Sequence, residues 1–326
     1  MKVLILSELK PKRYSTLIEA LGEDWGVDLR LYGECGLRAL VSQVDFSAFD
    51  RVLFASGVRR AGSSFLALRD LPALHVFDLD LQQDYMPESN YYRLFSPLFK
   101  KFRKLHLIVT SLASQQHFER LGFSVSWLPK AYDHRLITNR GAERTINYGF
   151  VGRTKNRVYM QRNTLLANIT ERLPLETLRT EDASESSDDY NQALNQIRYF
   201  ISADAGFREF HIKNFEAMAA GCVVCAFRTS DDEAAALGFR DMENIVLYNS
   251  PSELEAKIAL IQDTPGRWQV ISDAAARLAQ ERHQWRQRKN ALSDALSCPG
   301  QTPPASTLQD FARYAYLRAY HLLSRR

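Results

Sequence analysis

In the stretch HIKNFEAMAAG, His211 to Gly221, an imidazole, an ammonium and a carboxylate recur at intervals that helical turns bring together: His211, Lys213 and Glu216. A carboxylate at the carboxyl end of a sheet can hold two vicinal hydroxyls, as on a ribose, and a cation one turn earlier can neutralise a phosphate. His211 stands beside both and can touch the sugar or the phosphate. The small residues Ala217, Ala219, Ala220 and Gly221 let a helix over 212–220 lie close to its sheet, and the apolar run CVVCAF reads as the buried strand that follows. Glu216 is expected near the helix beginning, where free amides and the dipole favour an acid. A capping acid beside a solvated lysine is the plainer reading of the same residues.

A second group of acids lies in HVFDLDLQQDYM. Asp78, Leu79 and Asp80 spell D-x-D at the end of a strand-like run, with Asp84 close behind. Such a pair can chelate a divalent metal beside a diphosphate, accept a proton from a hydroxyl, or simply cap the next helix.

The elements that must position these groups alternate along the chain. KVLILS, VDLRLY, DRVLFAS, ALHVFDLD, LHLIVTS and FSVSWLP read as strands, separated by amphipathic stretches such as 90–104. The polar run DHRLITNRGAER interrupts the pattern, which restarts with INYGFVG and continues through PLETLR, IRYFISA, CVVCAF and NIVLY, with helices between. Apolar strands separated by helices require a parallel sheet covered on both faces. The expected architecture is α/β: two Rossmann-like doubly wound domains, 1–138 and 139–297, facing a cleft, followed by a linker and an amphipathic helix over 298–326. Ligands should bind in that cleft, at the carboxyl ends of the strands.

Composition sets the outer limits. At 326 residues, 45% hydrophobic and 25% charged, the chain can bury two cores. A net charge of +4 is too small to imply nucleic-acid binding, so no nucleic-acid partner is expected. The opening MKVLILSEL holds too short an apolar run for a signal peptide or a membrane span, and a cytoplasmic location is expected. Four scattered cysteines fit a reducing compartment. Cys222 and Cys225 have redox spacing but no second Cys or His pair, so they read as small core residues. LSELKPKRY, after the first strand, lacks the G-x-G-x-x-G of a dehydrogenase.

The stretch from Lys213, with Phe215, Glu216, Ala217, Ala219 and Gly221, resembles the nucleotide-sugar segment R-x-F-E-A-x-A-C/A-G of GT-B glycosyltransferases, in particular the CgeB-like and glycosyl transferases group 1 families. YGFVGRTKNRVYMQRNTLL, ENIVLYNSPSELEAKIALI and LHLIVTSLASQQHFERLGFSVSWLPKAYD resemble further segments of that group, in the same order.

The resemblance implies a nucleoside-diphosphate sugar donor held by the second domain, with Glu216 on the ribose and Gly152, Arg153, Lys155 and Arg162 approaching the diphosphate. A glycine turn lets backbone amides reach phosphate, and cations offset the charge that grows on the leaving group, so no metal or other cofactor is expected. Related retaining enzymes carry a first acid in an E-x7-E pattern, facing the transferred sugar. Its place here is Arg208, and the nearest acid is Glu209. Asp80 and Asp78 are expected on the acceptor side.

The basic aromatic stretch YYRLFSPLFKKFRKLH and the terminal helix, with Arg313, Arg318, Arg325 and Arg326, suit an anionic membrane face or a lipid-linked saccharide. The same residues read equally as helices with aromatic faces packed inward. The sequence thus points to a glycosyltransferase, retaining by resemblance, that serves a saccharide or lipid-linked acceptor in cell-surface polysaccharide synthesis, at or near the inner face of the membrane. The alternative is a non-catalytic nucleotide-sugar-binding or scaffold protein of the same fold.

Overall fold

The computed structural model describes residues 1–178, 187–204 and 206–323. Contacts divide the chain into two compact units: Met1–Pro129 joined by the chain from Arg288 onward, and Lys130–Gln287.

In the first unit, strands β1 (Lys2–Ser7), β2 (Gly26–Leu31), β3 (Arg51–Ala55), β4 (Leu74–Phe77), β5 (Leu105–Val109) and β6 (Val125–Trp127) form a parallel sheet in the order β2-β1-β3-β4-β5-β6. Helices α1 (Ser15–Leu21), α2 (Leu37–Ser42), α3 (Val58–Ala61), α4 (Phe95–Phe99) and α5 (Leu112–Arg120) connect them. The inner strands are buried on both faces, which is why they read as unbroken apolar runs rather than alternating ones. Phe54, Phe65, Phe99, Phe102 and Phe118 fill one side of the sheet, each contributing about 1.5–3 kcal/mol by burial.

The stretch 90–104 departs from a single amphipathic helix. Only Phe95–Phe99 is helical, because Asp84 accepts the amides of Phe95 at 2.8 Å and Ser96 at 3.2 Å and so starts the turn there. Its aromatic side chains Tyr91, Phe95, Phe99 and Phe102 are buried in the core, not presented outward.

In the second unit, β7 (Ile146–Val151), β8 (Glu176–Leu178), β9 (Ile197–Ser202), β10 (Val223–Phe227) and β11 (Val246–Tyr248) form a parallel sheet in the order β11-β10-β9-β7-β8. Its helices are α6 (Met160–Thr170), α7 (Ser187–Gln196), α8 (Ile212–Ala219), α9 (Asp231–Leu237), α10 (Pro251–Gln262) and α11 (Arg267–Arg282). The chain runs from β7 to β8 on one side, then crosses back to place β9 on the other, so the β7/β9 pair is the switch point of the sheet. Open α/β sheets leave a crevice outside the carboxyl ends of the strands at such a point. Close pairing there demands glycine: a Cβ on Gly149 would lie 2.6 Å from the side chain of Ile197.

Cys222, just before β10, and Cys225 within it are free, fully buried thiols, pushed up by burial, Cys222 to about 12. Both pack as core residues.

Where the polar run at 133–144 suggests a boundary near 138, the contacts change already after Pro129. The reason lies in the backbone: Tyr132 donates to His283 O and accepts from the Trp285 amide, both at 3.0 Å, and the amides of Thr138 and Arg140 donate to Asn191 and Asn195. These bonds pin 130–140 to the second unit.

The chain then returns to the first unit as α12 (Lys289–Ser297) and α13 (Leu308–Leu323). Arg51 Nε donates to Leu296 O at 2.7 Å and anchors α12 beside β3. Among the described residues no helix is long and apolar enough to cross a membrane.

Candidate functional site

The crevice of the second unit begins where β7 ends. The Gly152 amide donates to Leu178 O at 3.0 Å, and a Cβ on Gly152 would lie 2.4 Å from the Phe150 ring, so the turn is held with bare backbone. Arg153 and Lys155 stand exposed on it. Arg162, on α6, does not stand with them: it is buried, donates to Arg153 O at 3.3 Å, meets Asp204 at 2.5 Å, and lies over the rings of Tyr159 and Phe207 at 4.6 and 4.8 Å. A guanidinium paired and stacked in this way fixes the turn from beneath.

The segment after β9 supplies the second wall. Asp204 accepts Ser202 Oγ at 2.6 Å, and His211 Nε2 lies 3.6 Å from its carboxylate. Burial by itself pushes Asp204 up, but His211, Arg162 and the Ser202 hydroxyl outweigh it and hold the carboxyl down at about 2. Burial pushes His211 down to about 3 against the pull of Asp204, with Lys130, Arg162 and Lys213 adding to the drop. The imidazole is therefore neutral.

Glu209 is fully buried, 2.5 Å from Lys130 Nζ and 3.5 Å from His211 Nδ1. Arg208, the residue in the place of the expected first acid, is exposed and sits at φ 56°, in the left-handed region that costs a non-glycine residue about 1 kcal/mol.

Helix α8 closes the crevice. Lys213 Nζ donates to Val151 O at 2.7 Å, tying the first turn of α8 to the end of β7 directly before Gly152. Glu216 stands in the middle of α8, not at its start, because the helix already begins at Ile212; the free amides of the helix end are not what holds it. Its Oε2 accepts the Tyr190 hydroxyl of α7 at 2.7 Å. Gly152, Arg153, His211 and Lys213 are thus gathered at the β7/β9 switch point, with Glu216 one turn along α8.

In the first unit the D-x-D acids follow β4. Asp78 is buried and accepts the Val58 amide at 2.8 Å and the Asp80 amide at 2.9 Å. Burial, then the charge of Asp80, pushes it up to about 7 against those two amides. Asp80 is half-exposed, 3.9 Å from Arg59. Asp84 is fully buried and bonded to His117 Nε2 at 2.9 Å, in addition to the α4 amides, so it serves the core.

Three residues of these networks carry little sequence signal. Lys130 is a lone lysine after a proline, and Tyr190 is one tyrosine on a polar helix. Asp204 alone had a cue, its place just past the strand IRYFISA.

Two parallel doubly wound units, each with a switch point at its strand ends, define the GT-B architecture expected from the sequence. Residues 175–294 match the family described as "Glycosyl transferase-like". The fold is similar to that of HepE from Anabaena, solved in complex with UDP and glucose (TM-score 0.59, 17% identity, 91% of this chain and 99% of that chain). It is also similar to sucrose-phosphate synthase from Thermosynechococcus elongatus (TM-score 0.61, 11% identity, 90% and 98%). A mutant of the T4 phage BGT in complex with UDP-glucose is a third (TM-score 0.61, 10% identity, 91% and 100%). No curated protein matches the chain by sequence. The chain has the GT-B glycosyltransferase fold, and its glycosyl transferase-like segment spans β8 to α11 of the second unit and ends within α12 of the first.

Proposed function

We propose that this chain transfers a sugar from a nucleoside-diphosphate sugar to a saccharide or lipid-linked acceptor, in the building of cell-surface polysaccharide or glycoconjugate from the cytoplasmic side. The observation that carries the reading is the Lys213 to Val151 bond, which sets the first turn of α8 against the bare turn at Gly152. In this reading Glu216, along the same helix, takes the ribose hydroxyls, and the exposed Arg153 and Lys155 take the diphosphate charge. UDP or UDP-glucose in two of the similar structures makes a uridine diphosphate sugar the first donor to test.

In this scheme the cations offset the charge growing on the departing diphosphate, and the acceptor hydroxyl attacks an oxocarbenium-like sugar. Neutral His211 lies over the sugar as a hydrogen-bonding group. Asp78, with a carboxyl held near 7, is suited to accept the hydroxyl proton, and Asp80 to orient the acceptor. We read the outcome as retention, following the motif resemblance.

One observation favours a non-catalytic nucleotide-sugar binder instead: Glu209, the acid nearest the expected first position, is locked on Lys130. Thermal-shift titration with UDP, GDP, dTDP and their sugars, followed by product analysis, separates the two. Stabilisation together with hydrolysis or transfer supports the enzyme, and stabilisation without turnover supports the binder. Silence across the panel removes both. Glu216→Ala should weaken donor binding by about 1–3 kcal/mol, the scale of a lost charge-assisted bond.

A further inference from the structure

Helix α13 is amphipathic in an unusual sense: both of its long faces are apolar. The inner face, with Leu317 buried and Tyr314 and Tyr320 half-buried, packs on the core of the first unit. Thr307 and Asp310 cap its start, and Lys100 pairs with Asp310 at 2.9 Å. The outer face presents Leu308, Phe311, Ala312, Ala315, Tyr316 and Ala319, all exposed. Leu308 is 90%, Phe311 56% and Tyr316 60% exposed. A helix packed on a domain ordinarily turns charge to water on this face, and here the stripe carries none.

The ground around the stripe is basic. Lys101 Nζ lies 3.8 Å from the Phe311 ring centroid and 5.4 Å from that of Tyr314. Asn90 Nδ2 donates to the Tyr320 hydroxyl at 3.2 Å, which brings the segment bearing exposed Arg93 against the far part of the helix. Arg103 and Lys104 are exposed beyond Lys101. The sequence from Ser89 to Val109 has no acid, and from Ser297 onward it has one, Asp310, already buried on Lys100. Arg325 and Arg326 lie outside the described residues, as does the side chain of Arg318.

We propose that the outer face of α13 lies in the interface of an anionic membrane, with Leu308, Phe311 and Tyr316 among the upper acyl chains and Lys101, Arg103, Lys104 and Arg313 at the headgroups. Bulky apolar groups rimmed by cations are what such a surface binds. A second copy of this chain fits less well, because two-fold pairing of α13 would face one basic rim with another and offer no acid between them. Of the two segments the sequence suggests for such a contact, the terminal helix is the one that keeps an outward apolar face, since the aromatic face of 91–102 is spent on the core. It does not depend on the donor chemistry.

The test is flotation of the full-length protein with vesicles of phosphatidylcholine alone or mixed with phosphatidylserine, at low and high salt. Anionic vesicles should bind at least about tenfold more protein than neutral ones, and salt should weaken the binding. F311S/Y316S should cut binding about tenfold and R103Q/K104Q about fivefold or more, both with unchanged melting temperature because all four side chains are exposed. No binding, equal binding to both vesicles, or variants that float like the parent would overturn the proposal. So would a concentration-dependent dimer, seen by sedimentation, that F311S/Y316S abolishes.

Discussion

The Tyr190 hydroxyl sits 2.7 Å from Glu216 Oε2, joining α7 to the middle of α8. This bond holds the rotation of the carboxylate that we propose takes a ribose. Tyr190→Phe should therefore weaken uridine diphosphate binding by about 0.5–1.5 kcal/mol, less than Glu216→Ala. In the double variant the two losses should not add, because Tyr190 acts through Glu216. Calorimetric titration of the four proteins checks this. Full additivity would detach Tyr190 from the site.

Lys130 and Glu209 form a buried ion pair at 2.5 Å, and such pairs are asymmetric in their energetics. Removing one partner strands the other charge in the interior, at a cost of about 3–5 kcal/mol. Lys130→Met should lower the urea midpoint sharply, and the added Glu209→Gln should restore much of it. A Lys130→Met protein as stable as the parent would mean that Glu209 finds another neutralising contact, and would free it for a role toward the sugar.

His211 sets an acid limit on the second unit. Its ordinary value is 6.5 and burial takes it down to about 3, so the fold favours the neutral ring. The associated stability is complete above 6.5 and is lost progressively as pH falls toward 3, by at most about 1.4 kcal/mol per pH unit. Asp204 runs the other way from a lower starting point: its depressed carboxyl gives stability above 3.8 that is lost only as pH falls through about 2. The window between 6.5 and 4 thus belongs to His211 within this pair. Melting temperature measured across that window should fall with pH in the parent and fall less in His211→Gln; parallel curves would refute the assignment.

Both sheets were legible from the sequence because parallel strands buried on two faces must be apolar throughout, and KVLILS, INYGFVG and IRYFISA have no other stable use. The segment 211–221 was legible for a similar reason: Ala217, Ala219 and Gly221 are small where a helix meets its sheet. Pairwise contacts were not. Nothing local says that Arg162 will turn inward to Asp204, 42 residues later, or that Lys130 will meet Glu209 across 79. Glu216 was displaced from the expected helix start because HIKNF is itself helix-competent from Ile212. The aromatic run at 91–102 read as a surface because its basic residues alternate with rings, whereas Asp84 breaks the run into turns that point every ring but Tyr92 into the core.

Asp78 gives the first unit its own pH signature. With a carboxyl pushed up to about 7 by burial and by Asp80, it is ionised only on the alkaline side of that value, and a general base works only when ionised. In a transferase assay with the donor identified by titration, kcat/KM should rise as pH increases through about 7 and level above it. Asp78→Asn should lower the plateau by about 10²-fold or more and abolish the rise, since an amide does not titrate there. A merely structural role, holding the Val58 and Asp80 amides, predicts another outcome: activity scaled down evenly at every pH, with the rise intact. Asp80→Asn supplies a further check, because removing its charge should shift the rise to lower pH while leaving the plateau within about tenfold of the parent.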